Sequence, residues 1–81
     1  MPKFPKVKMY STEWCVYCKY AKKFFEENKV PFEEVDVENN PKEAEEMVEK
    51  SGQMGVPVID IGGKIIVGFD REGIKKALGM K

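Results

Sequence analysis

Two cysteines separated by two residues, Cys15-Val16-Tyr17-Cys18, are the side chains of this 81-residue chain best suited to chemistry. A thiolate is both the nucleophile of disulfide exchange and a soft metal ligand, so the pair offers two kinds of reaction. As a structural staple it offers little, because a bridge over two intervening residues closes a very small loop. A structural zinc site normally takes four ligands, and this chain has no histidine and only two cysteines. Redox exchange is the leading reading within one chain. Thiolates from two chains could together hold a metal or an iron–sulfur cluster, and two buried cysteines acting as small hydrophobes are a further reading.

Exchange needs the attacking sulfur where its anion is favoured, and the surrounding elements supply such a place. Val7 to Tyr10 alternates apolar and polar residues as a short strand. Ser11-Thr12-Glu13-Trp14 follows as a loop with capping residues, and from Cys15 the apolar positions Tyr17, Tyr20, Ala21, Phe24 and Phe25 recur at helical spacing. That helix should stop near Asn28-Lys29, ahead of Pro31. Free N–H groups and the helix dipole favour negative charge at a helix start, which lowers a thiol there below its ordinary ~8.5. Cys15 is therefore read as the exposed attacking sulfur. Cys18, one turn later, is read as the resolving one.

The remaining elements follow by the same rules. Phe32 to Val37 alternates as a second strand, and Asn40 caps a second helix with Pro41 in its first turn and Glu43 as capping-box partner. Ala44, Met47 and Val48 form the buried stripe of that helix, which ends at Ser51-Gly52. Val58 to Ile61 and Lys64 to Val67 are strands joined by the hairpin turn Gly62-Gly63. Asp70 caps a last helix carrying Ile74, Ala77 and Leu78, closed by Gly79. The order βαβαββα predicts an α/β domain over residues 1–81. Its first crossover demands a parallel pair and its hairpin an antiparallel one, giving a four-stranded mixed sheet with three helices on its two faces.

Bulk composition narrows the function. Fourteen basic residues balance fourteen acidic ones, which argues against a general nucleic-acid binder or a polybasic membrane anchor. No apolar run approaches the roughly 18 residues of a membrane span. Met1 to Tyr10 alternates Lys and Pro with apolar residues and does not resemble a secretory leader, so a cytoplasmic location is expected, where thiols are kept reduced. Charged residues make up 35% of the chain and are dominated by Lys and Glu, a lean toward a heat-adapted source.

Three segments carry a family resemblance. Tyr10 to Cys18, then Gly55-Val56-Pro57, then Val67-Gly68-Phe69-Asp70 resemble the glutaredoxin family in order and spacing, over about Val7 to Leu78. The resemblance implies a thioredoxin-like (glutaredoxin) fold and a thiol–disulfide oxidoreductase that carries electrons through the cysteine pair. It implies that Pro57 is cis and lies against the cysteines, and that the backbone of Val56 pairs with bound glutathione or a substrate strand. Gly68 and Asp70 match positions that receive the γ-glutamyl end of glutathione. Trp14, Tyr17 and Phe69 complete the expected substrate or glutathione surface. The bottom-up alternatives stand beside these: Asp70 serves as a helix cap, Gly68 as a turn residue, Tyr17 as core, and Lys8 and Lys19 as surface charges or as positive potential near the thiolate.

The sequence departs from the family pattern at named positions. Val16 stands where Pro is usual, Thr12 where a basic residue often holds a glutathione carboxylate, Gly55 where Thr is common, Val67 where a first Gly is usual and Arg71 where a second Asp is usual. A missing cation removes a charge-assisted contact, so these departures bear on glutathione and leave disulfide exchange untouched. The resemblance implies no resident cofactor. It implies glutathione as co-substrate or reductant, or thioredoxin reductase with NADPH as the electron source. The expected partners of a monomer are disulfide-bearing proteins such as ribonucleotide reductase or a peroxidase, with no nucleic acid and no membrane. A partner-recruiting adaptor that performs no redox chemistry is the remaining alternative.

Overall fold

The strands and helices follow one another as β1 (Val7–Ser11), α1 (Val16–Glu27), β2 (Glu33–Asp36), α2 (Pro41–Ser51), β3 (Val58–Ile61), β4 (Lys64–Val67) and α3 (Arg71–Leu78). The computed structural model describes residues 4–80; the first three residues of the Met1 to Tyr10 segment, and residue 81, lie outside it. The sheet order is β2-β1-β3-β4, with β1 parallel to β2 and antiparallel to β3, and β3 antiparallel to β4. This is the expected mixed sheet.

Strand alternation divides the core into two layers. Val7, Met9, Ile59 and Ile61 face Ala21, Phe24 and Phe25 of α1 and Ile74 and Leu78 of α3. On the opposite face Tyr10, Val35 and Val58 pack with Met47 of α2. A four-residue hairpin needs a tight turn, and Gly62 and Gly63 supply it at φ +58° and +97°. At α3 the side chain of Asp70 accepts the Gly73 N–H at 3.2 Å, and Gly79 closes the helix in the left-handed region.

Four local expectations are corrected. β1 runs one residue further, because Ser11 pairs with Asp36. β2 is shorter than Phe32 to Val37, since its ladder with β1 begins at Glu33; Phe32 instead packs its ring 5.3 Å from that of Phe25. Asn40 sits at the α2 cap position but donates its amide to the Asp36 carbonyl at 2.6 Å, while Glu43 pairs with Lys8 at 3.0 Å, so no capping box forms. The buried stripe of α1 is Cys18, Ala21, Phe24 and Phe25, and both Tyr17 and Tyr20 turn outward. Helical spacing locates an apolar stripe only to within an edge position, and here the aromatic edge is left open.

A charged network fastens α2 to the sheet. The buried Tyr10 donates its hydroxyl to Glu46 at 2.5 Å and accepts from Lys50 at 3.0 Å. Lys50 also pairs with Asp60 at 2.8 Å, and Lys8 joins Glu46 at 3.2 Å. The ammonium groups of Lys8 and Lys50 stand 5.2 and 5.5 Å from the centre of the Tyr10 ring. Hydrogen bonds from Tyr10, then Lys50 and Lys8, hold the Glu46 carboxyl down at about 2. Burial pushes the Tyr10 hydroxyl up, and bonds to Asp60 and to Glu43 raise Lys50 and Lys8 respectively.

Candidate active site

One end of the sheet gathers every segment singled out in the sequence. β1, β2 and β4 finish there and β3 begins there, so the loop to Cys15, the Val56-Pro57 approach to β3 and the Gly68-Phe69-Asp70 exit from β4 meet at a common edge. The Val56–Pro57 bond is cis, as the resemblance implied. Pro57 is buried one step before the Tyr10–Val58 pair, and its carbonyl accepts the Gly68 N–H at 2.8 Å. That bond joins two of the three segments. Gly68 takes φ +80°, and a Cβ added there would meet nothing within 4 Å, so backbone conformation, not crowding, favours glycine at this position.

Cys15 is the N-cap of α1. Its N–H donates to the Thr12 carbonyl at 3.3 Å, and its sulfur accepts the N–H of Cys18 at 3.1 Å. The two cysteines are joined as a disulfide with Cα atoms 5.2 Å apart. No acidic residue occupies the first turn of α1, so nothing in that turn opposes an anion at the cap.

The expectation of an exposed Cys15 is corrected: the residue is only 5% exposed, and Cys18 2%. A cap residue bonded to the preceding loop through its N–H and to the helix through its carbonyl and its sulfur is drawn against the helix end. Exposure passes instead to its neighbours, Trp14 at 70%, Val16 at 56% and Tyr17 at 62%. The disulfide is reached through an aromatic and aliphatic collar.

The other expected site residues divide between collar and scaffold. Trp14 donates its indole N–H to Glu38 at 2.7 Å, which ties the active loop to the segment after β2. Tyr17 lies edge-on to Tyr20 with ring centres 6.0 Å apart. Val56 is half-buried against the α2-side core. Phe69 is half-buried too, its ring 6.2 Å from Phe24, so it belongs to the rim of the core more than to an open surface. Asp70 is exposed and engaged as the α3 cap. Lys8 is taken up by Glu43 and Glu46 away from the cysteines, while Lys19 is exposed on α1.

Two flanks of the site differ in charge. On the β2 side, Ser11, Thr12, Glu13, Glu34 and Asp36 line a cleft of about 250 Å³. The Asn39 amide and backbone N–H groups hold the Asp36 carboxyl below its usual range. On the α3 side stand Lys23 and Arg71. The sequence pattern gave no sign that Glu38 would anchor Trp14 or that Tyr20 would turn outward beside Tyr17, since both contacts arise from packing.

Comparisons with known proteins agree with this geometry. The family model described as Glutaredoxin matches residues 7–66. A glutaredoxin-like 8.6 kDa protein of the rubredoxin operon of Clostridium pasteurianum is 44% identical over 72 residues, covering 89% of this chain and 96% of that one. Glutaredoxin 3 of Escherichia coli strain K12 is 38% identical over 64 residues, covering 79% of this chain and 77% of its own. The glutaredoxin-like NrdH-redoxin of Escherichia coli, described for its thioredoxin-like activity profile, superposes with a TM-score of 0.79 at 27% identity, covering 88% of this chain and 92% of that one. The fold is thioredoxin-like, and the cysteine pair sits at the start of its first helix. The chain belongs to the glutaredoxin family.

Proposed function

We propose that this chain is a dithiol electron carrier that reduces protein disulfides, or mixed disulfides of proteins with glutathione. The observation that carries this reading is the sulfur of Cys15 at the N-cap of α1, accepting the Cys18 N–H at 3.1 Å. The Cys15 thiolate attacks one sulfur of the target disulfide. That S–S bond breaks, and its other sulfur leaves as a thiolate that takes a proton. Cys18, giving up its proton, then attacks Cys15 in the mixed disulfide and releases the second target thiol. Two electrons have moved to the target, and the chain is left as the Cys15–Cys18 disulfide.

A reductant must reopen that bond. Glutathione and thioredoxin reductase with NADPH are the two candidates, with no resident cofactor needed. The uncharged Thr12 in a cleft lined by Glu13, Glu34 and Asp36, where Lys22 is already paired with Glu34, and the likeness to a redoxin of thioredoxin-like activity, favour the reductase. Protein targets of the ribonucleotide reductase or peroxidase kind, met in the cytoplasm by a monomer, complete the reading. Among the described residues no helix is long and apolar enough to cross a membrane.

The test is substitution of each cysteine in turn. Cys15→Ser is expected to abolish turnover, and Cys18→Ser to accumulate a mixed disulfide visible by mass spectrometry. Full disulfide reductase activity in the Cys15→Ser variant would remove the mechanism. Oxidised protein offered to each reducing system separately then decides the electron source.

A further inference from the structure

The outward edge of α1 forms an open path leading from the disulfide. Tyr17, two residues beyond Cys15, touches Tyr20 edge to face, and Tyr20 in turn walls a cleft of about 230 Å³ with Lys23, Phe24, Glu27, Phe69 and Arg71. Its floor is aromatic, Phe24 against Phe69, and the Arg71 guanidinium lies over the Phe24 ring at 5.7 Å. Neither Lys23 nor Arg71 has an ion-pair partner among the described residues. Beyond Arg71 the next hollow along α3 is lined by Lys75 and Lys76 together with Glu72, so cations still outnumber carboxylates there. Glu27 is the carboxylate at this cleft, and it lies at the far end of α1.

We propose that this cleft is the docking site for the polypeptide flanking the target disulfide, and that it selects an acidic residue beside an apolar one. The proposal rests on the electron-carrier reading and adds the chemistry of the partner. An apolar side chain would cover the exposed Tyr20 and the half-buried Phe69, and a carboxylate would meet Lys23 and Arg71, where a guanidinium already held over a ring has lost part of its freedom. The opposite flank carries Glu13, Asp36 and Glu38 beside a Glu34 that is paired with Lys22 at 3.4 Å, and its surplus of carboxylates repels the same carboxylate. The two flanks thus fix which way the target chain lies across the disulfide. Distance sets the spacing. Eight helical residues from Cys15 to Lys23 span roughly 12 Å, which an extended chain covers in about four residues. The acidic residue belongs about three to five positions from the target cysteine.

The experiment uses peptides in which one cysteine is disulfide-bonded to 2-mercaptoethanol, with Glu or Lys placed four residues away, and hydroxyethyl disulfide as the small neutral control. In a single turnover, the pre-reduced wild-type chain is expected to reduce the Glu peptide about tenfold faster than the Lys peptide, a preference that fades with salt. Arg71→Glu with Lys23→Glu is expected to reverse that order while leaving hydroxyethyl disulfide unchanged; Lys23→Ala with Arg71→Ala is expected to erase it. Equal rates for both peptides, or a preference that survives charge reversal, would overturn the docking site alone. Failure to reduce any of the disulfides, the neutral control included, would overturn the electron-carrier reading and this proposal together.

Discussion

The N–H of Cys18 that meets the Cys15 sulfur in the disulfide is equally placed to bond a thiolate once the bridge opens. A hydrogen bond to the charged form favours ionisation, and so does the positive end of a helix with no acid in its first turn. Thiolate absorbance during a pH titration of the reduced chain is expected to show Cys15 ionising below an ordinary thiol; ionisation at or above the ~8.5 of a free cysteine would contradict the cap geometry. The cysteines and their place at a helix start were legible in the sequence, because spacing and a strand-to-helix switch are local features. Their shallow burial was not, and neither was the Trp14 bond to Glu38, which joins residues 24 positions apart and exists only once β2 lies beside β1.

Among the elements, the β3–β4 hairpin and α3 were legible to the residue, since Gly62-Gly63, Asp70 and Gly79 act through their own backbone neighbourhood. α2 shows the opposite case. Its capping box gave way to longer-range ion pairs, and Tyr10 of β1, expected only as part of an alternating strand, became the centre of a network spanning β1, α2 and β3. That network has a pH signature. The folded chain holds Glu46 at about 2, well under its ordinary 4.5, so its contribution is present above about 4.5 and is lost as pH falls toward 2. Denaturation midpoints measured from pH 6 down to pH 3 are expected to fall, and to fall less steeply for Glu46→Gln, which starts lower; parallel curves would exclude Glu46 as a source. At the alkaline end the raised Lys8, Lys50 and Tyr10 all favour their protonated forms, so the network holds at neutral pH and weakens above the ordinary range of those groups.

At the scale of the whole molecule, a chain of this length has a small core and little stability in reserve. Phe25 is fully buried and touches both Phe24 and Phe32, linking α1 to the segment before β2. Phe25→Ala is expected to cost about 3–5 kcal/mol, a large share of the roughly 5–15 kcal/mol typical of a small domain. Urea denaturation would measure it, and a loss under about 1 kcal/mol would mean that the layer between α1 and the sheet is not the principal support. The overall topology was readable because helical crossovers and glycine turns leave few arrangements open. Which edge of α1 would stay uncovered was not readable, as Tyr17, Tyr20 and Phe24 share one apolar spacing and only the arrival of α3 beside Phe24 separates them.

Trp14 is the sole tryptophan, and it stands next in sequence to Cys15 with its ring largely open to water and its nitrogen anchored by Glu38. A sulfur–sulfur bond quenches an excited indole close by, and two separate thiols do so less. The emission of this one residue is therefore expected to brighten when the chain is reduced and to dim when it is reoxidised. The protein carries its own optical gauge, by which each electron pair entering or leaving can be timed without a label.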